Sequence, residues 1–156
     1  MYINTLDNIE FNFNDYELGV ERIIRAYWEL QMLRFHIVTD ELDSSLVHEM
    51  NRINKSLGIT VISINLNDSY IESDEINKAI EQNEYPKWIW FYGIDALKDT
   101  QFSGWLRSRL TVRAIENIRV VFVADSKEDL SKVFGDIKKP LYHSTMPLDI
   151  NFSVST

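Results

Sequence analysis

Asp40, Asp43, Asp95 and Asp125 are the residues best placed to do chemistry, because each falls just after an apolar, strand-like run. Hard cations take carboxylate oxygens as ligands. Four such groups converging could hold Mg²⁺ for phosphoryl transfer or nucleic-acid cleavage, which makes a Mg-dependent phosphatase or nuclease one reading of the chain. The same residues have an ordinary alternative. Asp is a favoured helix N-cap and turn residue, so Asp40 or Asp43, Asp74 and Asp125 would each start a helix while Asp95 stabilises a turn. No Lys or His recurs beside them as a second ordered element of a site. His36, His48 and His143 are far apart and share no motif, and His36 lies inside a strand-like run, where a packed or hydrogen-bonded histidine is the commoner case. No Gly-x-Ser-x-Gly elbow is present.

One basic concentration stands against the acidic background. Gln101 to Arg113, QFSGWLRSRLTVR, sets Arg107, Arg109 and Arg113 on a helix beside Trp105, with Arg119 six residues later. Arg with Trp is the composition of a protein-interface hot spot. The alternative is that Trp105, Leu106 and Leu110 form a buried face and the arginines its solvated side. Tyr16, Tyr27 and Trp28 give the first helix more aromatic surface than one face can hide, so Trp28 joins the candidate interface. Trp88, Trp90, Phe91 and Tyr92 are read as core on both faces of a sheet rather than as a stacking platform.

The elements that must position these residues follow from periodicity. A helix is expected over about 15–32, capped by Asp15, with Leu18, Ile23, Ala26, Tyr27 and Leu30 near helical spacing. Phe35 to Thr39 reads as a strand, and Asp43 or Ser44 then caps a helix carrying Leu46, Val47, Met50, Ile53 and Leu57, closed by Gly58. Ile59 to Leu66 is a second strand, apolar on both faces like an interior strand of a parallel sheet. Ser73 or Asp74 begins a short helix through Ile76, Ala79 and Ile80. Trp88 to Tyr92 is the most apolar run and the preferred central strand. A helix with Phe102, Trp105, Leu106, Leu110 and Val112 follows, then a strand over Arg119 to Ala124. Asp125-Ser126 caps a helix closed by Gly135, and one more strand is expected around Leu141-Tyr142-His143. This alternation predicts an α/β three-layer sandwich with a mostly parallel sheet of about four to five strands.

The 156 residues carry no Pro/Gly/Ser-rich linker and no repeat, which predicts a single domain over 1–156, its sheet and helices spanning about 34–148 and a short tail after them. With 45% hydrophobic and 26% charged residues the chain can bury a core without a staple. Zero cysteines remove thiol catalysis, disulfides, Cys-ligated zinc and iron–sulfur clusters. The net charge of −8 opposes binding to a phosphate backbone and argues against nucleic acid as a partner. Met1 to Glu10 has no basic stretch followed by an apolar one, and no apolar run is long enough to span a membrane, so a cytoplasmic protein that needs no membrane is expected.

The order of elements resembles a P-loop ATPase domain of the AAA+ type over about residues 16–148. Trp88 to Leu97, WIWFYGIDAL, is similar to the Walker B strand of that family, and IRVVFVADSKEDL, ending at Leu130, to the strand and helix that carry its sensor residue. The departures change what the resemblance implies. Where a phosphate loop needs glycines, a lysine and a Ser/Thr, this chain has Asp40-Glu41-Leu42-Asp43-Ser44-Ser45, whose three carboxylates would repel a triphosphate. The family's metal-binding Asp and catalytic Glu fall on Tyr92 and Gly93. The resemblance therefore implies a P-loop NTPase-like topology with degenerate Walker motifs, no cofactor, and a non-catalytic, pseudo-ATPase-like binding or assembly subunit. Its partner would be another protein, a larger complex or further copies of itself. A nucleotide sensor that binds without hydrolysing is the weaker alternative.

Overall fold

In a computed structural model, residues 16–81, 85–111 and 117–148 are described. Strands and helices alternate: α1 (Tyr16–Glu29), β1 (Arg34–Val38), α2 (Ser44–Ser56), β2 (Thr60–Asn65), α3 (Asp74–Glu81), β3 (Lys87–Tyr92), α4 (Thr100–Leu110), β4 (Ile118–Ala124), α5 (Lys127–Phe134) and β5 (Met146–Pro147). Short 3-10 turns follow β1, β2 and β3.

The five strands form one sheet in the order β2-β3-β4-β1-β5, with every pairing parallel. The expected α/β sandwich is thus present. The connection from β1 to β2 steps three places one way across the sheet. Those from β2 onward step the other way, the last passing over β1. The helices divide accordingly. Residues of α1 and α2 pack with Phe35, Ile37, Trp88, Trp90, Val121 and Val123, whereas those of α3, α4 and α5 pack with Ile64, Ile89, Phe91, Val120 and Phe122. Reversing both the direction of travel and the face keeps every crossover the same hand, as parallel connections require. Because successive strand residues point to opposite faces and both faces are covered, β3 and β4 read as unbroken apolar runs.

Sheet position departs from expectation at three places. β4, with all seven residues buried, is the central strand, and the aromatic β3 lies beside it. β2 is an edge strand rather than an interior one: only Ile64 is buried, while Thr60, Ser63 and Asn65 are exposed. Its β-branched residues signalled a strand, but its place at the edge follows from pairing, since among the described residues only β3 lies beside it. The segment Leu141-Tyr142-His143 is a turn, with His143 at φ 53°, and the fifth strand lies just beyond it, Met146 and Pro147 pairing with Phe35 and His36.

Helix ends follow local chemistry. Gly58 closes α2 at φ 80°, in the left-handed conformation expected of it. α1 is closed by a non-glycine: Gln31 at φ 54° lets its own N–H and that of Met32 return to the carbonyls of Trp28 and Tyr27. Gly135 ends α5 at φ −101°, without a left-handed turn. The Asp15 cap and Val112 lie outside the described residues. Among the described residues no helix is long and apolar enough to cross a membrane.

Candidate functional site

In an open parallel sheet the ligand crevice forms at the carboxyl ends of neighbouring strands whose following helices cover opposite faces. Here those strands are β1 and β4, since α2 lies on one face and α5 on the other. A phosphate at this crevice would need the free N-terminus of α2. That terminus is already closed. The Asp43 carboxylate accepts the backbone N–H of Leu46 at 2.7 Å and the Ser45 hydroxyl at 2.7 Å. These two hydrogen bonds hold its pKa below the ordinary carboxylate value, the Ser45 hydroxyl contributing most.

The remaining aspartates are not gathered around it. Asp40 is exposed within the 3-10 turn Thr39–Glu41 and caps no helix. Asp125 is exposed as well. Ser126, rather than Asp125, caps α5, accepting the Asp129 N–H at 3.1 Å. Asp95 lies in the 3-10 turn after β3 and pairs with Lys98 at 2.7 Å. Lys98 reaches on to Asp129 at 2.8 Å, tying the turn after β3 to α5. Its two carboxylate partners, Asp129 first, push the lysine pKa well up, and Lys98 in turn lowers that of Asp129. Among the described residues no three His, Asp or Glu side chains are grouped to hold a metal ion. Sequence reasoning missed Lys98, for which the Asp95-x-x-Lys98 spacing was the available signal. It also missed Asp99, which caps α4 by accepting the N–H groups of Gln101 at 2.9 Å and Phe102 at 3.4 Å.

At the end of β3, Tyr92 is partly buried, and that burial raises its pKa. Gly93 takes φ 67°, and a Cβ there would collide with Oδ1 of Asn65 and come within 2.8 Å of Asn67 Nδ2. Asn65 is itself fixed, accepting the Asn67 N–H at 3.0 Å. Two asparagines, Asn65 at the end of β2 and Asn67 in the turn after it, therefore fill the space that any side chain at position 93 would take.

The aromatic–arginine helix is a different kind of surface. α4 runs back from the carboxyl edge of the sheet, so its last turn lies at the amino edge beside the start of β1. There Arg34 donates to the carbonyl of Leu110 at 3.3 Å. Trp105 is partly exposed and stacks on buried Phe102, with the Arg109 guanidinium 5.5 Å from its ring centre. Arg107 is exposed and close enough to Arg34 to help lower its pKa, an effect smaller than that of burial. No carboxylate lies within ion-pair distance of Arg34, Arg107 or Arg109 among the described residues. Arg34 was not singled out in the sequence because it joins the cluster only through the fold. Arg113 lies outside the described residues.

Two expectations about this surface are corrected. Trp28 is only 7% exposed and faces the core rather than a partner, with Tyr27 beside it. Arg119 is 2% exposed, stacks on Trp28 at 4.3 Å and donates to the carbonyls of Tyr27 and Trp28 at 3.3 and 3.2 Å. It is an internal clamp on the end of α1, not part of a basic face.

No family model, curated protein or solved structure matches the chain. What its geometry defines is a class: a parallel α/β protein whose crevice is acidic and internally capped, and whose Arg34, Arg107 and Arg109, without a carboxylate partner among the described residues, lie at the opposite edge.

Proposed function

We propose that this chain is a non-catalytic, pseudo-ATPase-like binding or assembly subunit that acts through protein–protein contact. The observation that carries the reading is the Asp43 cap: the helix end that would receive a phosphate holds a carboxylate of the chain itself. The strand order supports the ATPase-like ancestry. β4, similar to the sensor strand, lies between β1, which leads into the acidic loop, and β3, similar to the Walker B strand. A sensor residue must stand between those two motifs to read a nucleotide held by both. The catalytic positions are filled by Tyr92 and Gly93, and Asn65 and Asn67 occupy the space above the glycine.

The contact surface in this reading is Trp105, Arg107 and Arg109, joined by Arg34. Guanidinium groups that meet no carboxylate among the described residues of an acidic chain suit a partner that supplies them, with Trp105 as the apolar anchor. The test is cross-linking of the native chain in lysate, with the captured peptides mapped. Partners should cross-link beside α4, and Arg107→Ala with Arg109→Ala should lose them while the fold stays within about 1 kcal/mol of native, Arg107 being exposed and Arg109 giving up only its partly exposed contact with Trp105. Capture that both alanines leave intact would contradict the assignment of this surface.

A further inference from the structure

We propose that the open edge of β2 is a self-association surface, occupied by β2 of a second copy paired antiparallel about a twofold axis. The two edges of the sheet are treated differently. The β5 edge is two residues long and contains Pro147, both devices that discourage strand addition. β2 pairs with β3 along all six residues, and its sequence TVISIN has no charge, no proline and no glycine. Among the described residues no strand pairs with its other side. Such an edge offers a row of backbone donors and acceptors to any strand that fits.

The flanks indicate that the fitting strand is its own copy. Tyr85, 66% exposed, lies at the start of β2, where Thr60 donates to the carbonyl of Pro86 at 3.0 Å. Tyr70 and Ile71, 68% and 36% exposed, follow its end. Exposed Lys55 precedes the strand in the last turn of α2, and exposed Asp68 and Glu72 come after it. Antiparallel pairing brings the start of one strand to the end of the other. Lysine then meets carboxylate and Tyr85 meets Tyr70, twice over by symmetry. Parallel pairing would instead oppose Asp68 to Asp68. Two copies that each carry a charge of −8 repel one another, which favours a contact centred on a strand without charge.

The register is also constrained. Directly opposite residues of an antiparallel pair share a face, so a twofold pairing must centre on a residue. Centring on Ser63 sets Ile62 opposite Ile64 of the second copy, extending the apolar layer of the α3 and α4 face, against which both already pack. A six-residue strand pair with its flanking tyrosines lies at the small end of protein interfaces, so the dimer is weak and depends on concentration.

The chain has no cysteine, so Ser63→Cys introduces a single thiol per copy. Opposed Cα atoms at about 4.5–5.5 Å suit a disulfide. Mild oxidation of full-length Ser63→Cys should give a covalent dimer, whereas Ile137→Cys, at a position 76% exposed and far along the chain, should not. In sedimentation equilibrium the native chain should move from 18.4 kDa towards twice that mass with rising concentration. Ser63→Lys should remain monomeric with an unchanged thermal midpoint. A native chain that stays monomeric at every concentration would overturn the proposal, as would equal dimerisation of Ser63→Lys. Loss of the dimer only in the Arg107→Ala, Arg109→Ala variant would also overturn it, moving the contact to α4 and leaving the proposed function standing.

Discussion

Gly93 shows how one position bars a chemistry that the rest of the strand could accommodate. Its φ of 67° is left-handed, a conformation that costs an L side chain about 1–2 kcal/mol, and its missing Cβ leaves room for Asn65 and Asn67. Gly93→Glu, which places a carboxylate where the proposed ATPase-like reading would require the catalytic one, should therefore destabilise the fold by at least about 1–2 kcal/mol in denaturant titration and yield no ATP hydrolysis. Hydrolysis by that variant would show that the space can be reopened. His36 is the residue at which pH should be felt. Its Nδ1 lies 2.8 Å from the Thr145 hydroxyl and its ring packs on Phe134 at 6.0 Å. Burial lowers its pKa below 6.5, and Glu41 partly offsets this. The fold thus favours neutral imidazole. The contribution is complete above the unfolded pKa near 6.5 and is lost as pH falls from there through the lower folded value. An NMR titration should place His36 below 6.5, and Glu41→Gln should move it lower still. A midpoint at or above 6.5 would contradict the burial account.

At the scale of elements, local chemistry was legible and sheet position was not. The cap of α2 at Asp43 and its closure at Gly58 depend on neighbouring residues, and both could be read from the sequence. The exposure of β2 depends on which strands come to lie beside it, a long-range outcome that six residues do not encode. Trp28 was misread for the same reason: the guanidinium that covers its ring arrives from Arg119, 91 residues on. Lys98 likewise meets Asp129 only when the turn after β3 comes to lie beside α5. The Arg119 clamp gives a prediction at this scale. Arg119→Met should destabilise the protein by about 2–4 kcal/mol, because it strips buried donors from the last carbonyls of α1. Arg119→Lys should recover only part of this, having no planar fork to serve both carbonyls and the ring. Chemical denaturation with Trp fluorescence checks both, and a native-like Arg119→Met would sink the clamp.

The whole molecule is electrostatically divided. The carboxyl edge of the sheet carries Asp40, Glu41, Asp43, Asp95, Asp99 and Asp125, while Arg34, Arg107 and Arg109 stand at the amino edge. A net charge of −8 makes the first edge hostile to phosphates and leaves the second as the place where an acidic partner can dock. Partner binding through the second edge should weaken as salt rises. The central claim, that the crevice between β1 and β4 does not receive nucleotide, is tested most directly by thermal unfolding of the full chain with and without Mg²⁺-ATP or Mg²⁺-ADP. A ligand at about 100 times its dissociation constant adds about 2.7 kcal/mol, and each kcal/mol raises the midpoint of a domain this size by about 2–4 °C. The account predicts no shift with either nucleotide at millimolar concentration, and a rise of several degrees would contradict it.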